Sequence, residues 1–132
     1  MHVYIGETAG LLAGRLLLAA LFVFDGWSKL RGYDEALAYM VRFGVPGIML
    51  PGAIALEVGG GIALALGIFT RPLALAFALF SISAALLFHT NFGNRGEVLH
   101  FQKDFAIAGG FLVLAIAGAG AWSLDARLRR VH

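Results

Sequence analysis

Cysteine is absent from this 132-residue chain. The chain therefore has no disulfide, no thiolate metal site and no iron–sulfur ligand, and it cannot itself perform dithiol redox chemistry. Any redox chemistry must use a bound cofactor or a partner protein. The sequence also has no basic tract of the kind that contacts DNA or RNA, so nucleic acid is not an expected partner.

Charge is scarce as well: charged residues make up 14% of the chain, and hydrophobic residues make up 60%. A typical soluble domain has roughly 25% charged residues. The mean hydropathy is +0.84, and this composition predicts an integral membrane protein. The formal net charge of +2 suits anionic lipid headgroups, so we expect the lipid bilayer to be the main partner.

Four apolar runs are each long enough to cross a bilayer, which takes about 20 residues. We expect one domain over residues 1–132, with spans at about 9–30, 48–70, 72–89 and 104–122. Residues 32–44 would place apolar and charged side chains on opposite sides of a helix, which is typical of a helix in the membrane interface. The sequence therefore predicts an all-α fold, an integral membrane four-helix bundle with a short interfacial helix between the first and second spans.

The connections predict the topology. The polar residues 89–104 indicate an extramembrane loop, rich in Asn and Gly. Four spans put both termini on one side of the membrane. The tail carries Arg127, Arg129 and Arg130 close together, which favours cytoplasmic termini.

Ionisable residues inside the apolar runs are the strongest functional signal, because charge at membrane depth is costly. In the first span, Arg15, Asp25 and Lys29 follow spacings that put them on one face of a helix. We expect that face to point into the bundle. Alternatively, Arg15 and Lys29 extend their long side chains towards opposite interfaces.

Glu57 is the only charge of the second span. An ionised carboxylate at this depth needs a cationic or hydrogen-bonding partner. Lys29, Arg15 and Lys103 are the candidates. A protonated, neutral Glu57 is the alternative.

The end of the third span and the start of the fourth add further polar groups, namely His89, Lys103 and Asp104. They are expected on the membrane side where the charged end of the first span lies, so we predict a polar cluster at one mouth of the bundle. His89 and His100 lack a recognisable metal-site spacing, and no metal is predicted.

Gly6, Gly10 and Gly14 form a GxxxGxxxG series along one edge of the first helix. Such a series supports tight helix packing, either within the bundle or between two copies of the chain. The second alternative predicts a homo-oligomer.

Three segments carry a resemblance to a known family: GRLLLAALFVFDGWSKL, EVGGGIALALGIFTR and the pair Phe88-His89. With them the chain resembles the DoxX family of small bacterial inner-membrane proteins, over about residues 14–125. The most specific parts are Gly26-x-Ser28-Lys29-Leu30 and residues 57–71.

The resemblance implies a multi-pass protein of the bacterial inner (plasma) membrane. The family takes its name from a subunit of an archaeal thiosulfate:quinone oxidoreductase, and another member is associated with a membrane oxidoreductase complex in oxidative-stress resistance. We therefore expect an accessory or anchor subunit of a quinone-linked redox complex, with a redox enzyme as partner and quinone as cofactor, rather than a stand-alone oxidoreductase. The alternatives are a small-molecule binder or carrier, and a structural scaffold without chemistry.

The predicted site combines these observations and assigns no residue to catalysis. Arg15 is interpreted as a structural charge. The candidates for ligand binding or proton relay are Asp25, Ser28, Lys29, Glu57, His89, Lys103 and Asp104.

Overall fold

A computed structural model describes residues 2–131, with side chains for residues 5–129. In this part of the chain every regular element is a helix, and there is no strand. The helices are α1 (His2–Arg31), α2 (Tyr33–Arg42), α3 (Met49–Leu66), α4 (Thr70–Phe88), α5 (Arg95–Ala117) and α6 (Leu124–Val131).

Helices α1, α3, α4 and α5 are each long and apolar enough to cross a membrane. Large apolar side chains on their outer surfaces are exposed, among them Leu17, Leu79, Val113 and Ile116, and these face lipid. The short helix α2 lies between the first two spans and has no buried residue. The predicted all-α membrane bundle with a short helix after its first span is confirmed.

The prediction of a loop over residues 89–104 is wrong for most of that segment, because α5 begins at Arg95. Asn94 caps the helix: its Oδ1 accepts hydrogen bonds from the backbone N–H of Gly96 (2.8 Å) and Glu97 (3.4 Å). The first two turns of α5 therefore hold polar side chains in fixed positions.

A cluster of phenylalanine rings fills the centre of the bundle. The rings of Phe77 and Phe111 are stacked with centroids 5.1 Å apart, and Phe22 lies 4.8 Å from Phe77 and 5.5 Å from Phe111. Buried alanines surround the rings, including Ala19 and Ala108. Because small residues let the helix backbones approach, three rings are enough to fill the space between the spans.

Helices α1 and α3 are in close contact through two glycines. A Cβ at Gly26 would lie 2.8 Å from the Cβ of Glu57, and a Cβ at Gly61 would lie 2.6 Å from Cγ2 of Val23. Residues Ala55–Gly60 of α3, which include Glu57 and end just before Gly61, form a wider π-helical turn. Such turns are often found at functional sites.

The glycine series of α1 does not pack within the bundle. A Cβ at Gly6, Gly10 or Gly14 would meet nothing within 4 Å. The first of the two predicted roles, packing inside the bundle, is therefore wrong, and a homo-oligomer stays a prediction.

The connection between α3 and α4 is tied to the C-terminal segment. Gly67 ends α3 in a left-handed conformation (φ 77°), and the carboxylate of Asp125 accepts hydrogen bonds from the backbone N–H of Phe69 and Thr70, both 2.9 Å. Burial alone would raise the pKa of Asp125, but the hydrogen bonds from Thr70 and Phe69 outweigh it and hold the pKa below its ordinary value.

We predict that Gly26→Ala lowers the thermal stability of the bundle, because an added methyl group would overlap Glu57 and Val58 and push α1 away from α3. The control is Gly10→Ala, which has open space and replaces glycine by a better helix former. Melting curves of both purified variants in detergent test this. Equal melting temperatures for the two variants would contradict the close contact.

A second prediction concerns pH. Because the pKa of Asp125 is lower in the folded state, its carboxylate stabilises the fold above its unfolded pKa, near the ordinary 3.8, and that contribution is lost as pH falls through the folded pKa. Asp125→Asn is therefore expected to be less stable than the wild type at pH 7, and the difference is expected to shrink at pH 3. Urea unfolding at both pH values measures this, with exposed Asp34→Asn as control. A difference that does not change with pH would refute the role of the charge.

Candidate functional site

A cavity of about 690 Å³ lies between all four spans and α2, at the end of the bundle opposite the termini. Its apolar wall includes Phe22, Phe80, Leu87 and Ile107. The polar lining residues are Asp25, Lys29, Tyr39, Glu57, Ser81, Ser83, His89, His100, Lys103 and Asp104. A mostly apolar pocket with a few converging polar groups is typical of a small-molecule site.

An ion pair joins two helices inside the cavity: the Nζ of Lys29 on α1 contacts the Oε1 of Glu57 on α3. The Glu57 side chain is 1% exposed and that of Lys29 is 36% exposed. The ammonium also lies 5.6 Å from the centroid of the Phe80 ring, a cation–π distance. Of the three candidate partners for Glu57, Lys29 is the one that meets it.

His89 connects the end of α4 with the first turns of α5. Its Nδ1 lies 2.9 Å from the Oε2 of Glu97, and its Nε2 lies 3.8 Å from the Oδ2 of Asp104. The ring of His100 stacks on His89 with centroids 5.0 Å apart. The two imidazoles and the two carboxylates thus form a row of hydrogen-bonding groups between the end of α4 and the first turns of α5.

Helix α2 supplies Tyr39 to the cavity wall. Its ring lies 5.3 Å from that of Phe88, and the guanidinium of Arg42 lies 5.2 Å above it. Burial, and then the negative charge of Glu97, raise the pKa of Tyr39, although Arg42 opposes the shift. Tyr39 therefore presents a neutral hydroxyl at neutral pH.

The structure brings six of the predicted site residues together around this cavity and leaves one apart. Ser28 is exposed on α1 and does not line the cavity. Its backbone carbonyl accepts a hydrogen bond of 3.0 Å from the N–H of Gly32 at the helix end. The six are Asp25, Lys29, Glu57, His89, Lys103 and Asp104.

Arg15 lies at the other end of the bundle, where it is 2% exposed. Its guanidinium donates hydrogen bonds to the backbone carbonyls of Ala119 (2.6 Å), Trp122 (2.9 Å) and Ala65 (3.3 Å). These carbonyls lie near the end of α3 and just after α5. Arg15 thus ties α1 to the end of α3 and to the segment that follows α5.

Five polar groups of the site were not among the predicted residues: Tyr39, Ser81, Ser83 and His100 of the cavity lining, and Glu97, which contacts His89. Glu97 fell within the segment predicted as a loop, and recognition of Asn94 as a helix cap would have put it near His89. The sequence offers no comparable signal for Ser81 or Tyr39, because serine and tyrosine are common in membrane helices and interfaces.

No group of three or more His, Cys, Asp or Glu side chains in the described part of the chain is arranged to hold a metal ion. Glu57 contacts Lys29 instead, and His89 contacts Glu97 and lies near Asp104. The arrangement therefore consists of an ion pair and hydrogen-bonding side chains around a mostly apolar cavity.

Comparisons with known proteins agree with the membrane fold. A sequence model of the DoxX family matches residues 10–90. The inner membrane protein YqjF of Escherichia coli (strain K12) is 47% identical over 94% of this chain and 95% of its own length. The inner membrane protein YphA of the same organism is 39% identical, over 89% of each chain.

A more distant relative has a name that refers to chemistry. CatD of Bacillus subtilis (strain 168), provisionally named an oxidoreductase, is 26% identical over 88% of this chain and 84% of its own. No solved structure matches the chain. The four spans and the inner-membrane relatives confirm a multi-pass inner membrane protein. The family model and these identities together show that the chain belongs to the DoxX family.

Proposed function

We propose that this protein is an accessory or anchor subunit of a quinone-linked redox complex and that it binds the quinone head in the cavity of Lys29 and Glu57. The observation that carries the proposal is an ion pair with a fully buried carboxylate inside a mostly apolar cavity of about 690 Å³. Ionisable groups kept at membrane depth mark ligand or proton pathways.

The cavity residues fit a quinone in size and chemistry. Phe22, Phe80 and Ile107 offer apolar and aromatic surface for a ring and the start of a tail. The ammonium of Lys29 and the hydroxyl of Tyr39 are donors suited to ring oxygens. A bound quinone would supply two-electron chemistry in which protons are taken up or released.

The chain's own contribution to such chemistry would be to hold and move protons. His89 lies between Glu97 and Asp104, and Asp104 lines the cavity. Asp25 and Lys103 add charged groups to the same lining. We propose that this row connects the cavity with the membrane surface at the start of α5.

The proposed complex needs a partner that performs electron transfer, since the chain has no cysteine and the described residues offer no metal site. The name of the CatD relative favours a redox partner. At the other end of the bundle lie Arg71, Arg127 and Arg129, and the compact grouping of basic residues in the C-terminal segment favours a cytoplasmic location for that end.

We expect the purified protein in lipid nanodiscs to bind decylubiquinone saturably. Lys29→Met is expected to weaken binding by about tenfold or more, because it removes a charged donor worth roughly 1.5–3 kcal/mol. Arg31→Met, outside the cavity at the end of the same helix, is the matched control and is expected to bind like the wild type. Isothermal titration calorimetry measures both affinities.

Absence of saturable binding in the wild type would refute the quinone proposal. Transport of a solute into proteoliposomes would instead indicate a carrier. The double exchange Lys29→Glu with Glu57→Lys is compared with each single variant. If it restored both the amount of the protein in cells and the resistance of the cells to oxidative stress, the pair would be structural and the protein would be a scaffold.

For Arg15 we propose a structural role. Arg15→Met would leave the buried carbonyl of Ala119 and the partly buried carbonyls of Ala65 and Trp122 without their donor. The expected cost is on the order of 3 kcal/mol of unfolding free energy, with decylubiquinone affinity unchanged because the cavity is at the opposite end. Denaturant titration and calorimetry measure the two effects, with exposed Arg127→Met as control. Lost affinity in a folded Arg15→Met protein would contradict this role.

A further inference from the structure

Two buried oxygen atoms at the cavity have no hydrogen-bond partner in the described part of the chain. They are Oε2 of Glu57 on α3 and Oγ of Ser81 on α4. Each side chain is 1% exposed, and both residues line the cavity. Buried polar atoms without partners are rare in native proteins and cost about 1–3 kcal/mol each. Such a pair around one cavity indicates that a ligand supplies the missing hydrogen bonds.

The chemistry of Glu57 determines whether the ligand must donate or accept the missing hydrogen bond. Its Oε1 contacts the ammonium of Lys29, and we therefore infer the ionised carboxylate of an ion pair rather than the neutral form. An ionised carboxylate only accepts hydrogen bonds. The ligand must therefore donate a hydrogen bond to Oε2, whereas Ser81 would accept or donate according to the rotation of its hydroxyl.

The ammonium groups of Lys29 and Lys103, by contrast, do not need a hydrogen-bond acceptor from the ligand. Lys29 is 36% exposed, and Lys103 is exposed as well, so both ammonium groups can be satisfied by water or lipid headgroups. Glu57, at 1% exposure, has no such access. The site therefore lacks a hydrogen-bond donor for Glu57, and the ligand would supply it.

The two redox forms of a quinone differ in this property. The oxidised form presents carbonyl oxygens, which only accept, and the reduced form presents hydroxyl groups, which donate and accept. We propose that the site, if it has the quinone-binding function proposed above, selects the reduced dihydroxy form, with one hydroxyl donating to Oε2 of Glu57. A tenfold preference would correspond to about 30 mV in the midpoint potential of the bound two-electron couple.

The test compares decylubiquinol, kept reduced under argon, with decylubiquinone on the full chain in nanodiscs. The wild type is expected to bind the quinol at least about tenfold more tightly. Glu57→Gln keeps the size of the side chain but can present an N–H donor in place of an acceptor, so its preference is expected to vanish or reverse. Glu35→Gln, an exposed change on α2 outside the cavity, is the matched control and is expected to keep the preference.

A second variant covers the case in which Glu57→Gln does not fold. Ser81→Ala removes only one hydroxyl from α4, and it is expected to weaken quinol binding by several-fold. Circular dichroism melts establish that each variant is folded.

Equal affinity of the wild type for the two forms would overturn the selectivity and leave the proposed quinone-binding function standing. A preference that survives in folded Glu57→Gln would overturn the role of Oε2. If the wild type binds neither form, the proposed function and the selectivity fail together.

Discussion

The ion pair between Lys29 and Glu57 is the interaction on which the rest of the structure depends. A carboxylate buried to this extent in a membrane protein is tolerated only with a partner that compensates its charge. That requirement brings α1 against α3, and the glycine at position 26 makes the approach possible because it has no side chain. The cavity, its aromatic wall and the π-helical turn of α3 all lie around this contact.

The opposite end of the bundle is held by different polar contacts. Arg15 donates to backbone carbonyls near the ends of two other spans, and Asp125 accepts from the first backbone N–H groups of α4. Asp125 and the bond from Arg15 to Ala65 satisfy backbone groups that a helix end leaves free, and the other bonds of Arg15 go to the segment after α5. The two ends thus differ in kind: at one end side chains hydrogen-bond to backbone groups, and at the other an ion pair and further ionisable side chains line a cavity between the spans.

Much of the fold and part of the site could be predicted from local patterns. Charge-poor apolar runs predict spans because the bilayer sets their length, and the spacing of Asp25 and Lys29 predicts a shared helix face. The sequence did not predict the start of α5, because its first turns are polar and asparagine, the residue at position 94, occurs in loops as well as at helix caps. The glycine series of α1 shows the opposite error, in which a predicted feature is absent. It matches a packing motif, but it meets no neighbour within the bundle.

The sequence by itself determined that the chain is a four-span membrane protein and that Glu57 needs a partner, because both follow from the cost of polarity in lipid. Only the tertiary structure decided that the partner is Lys29 rather than Arg15 or Lys103, that Ser28 lies outside the cavity, and that Ser81 faces it. Periodicity gives the face of a helix on which a residue lies. The rotation and depth of one helix against another depend on long-range packing, here on two glycine contacts and a cluster of phenylalanine rings.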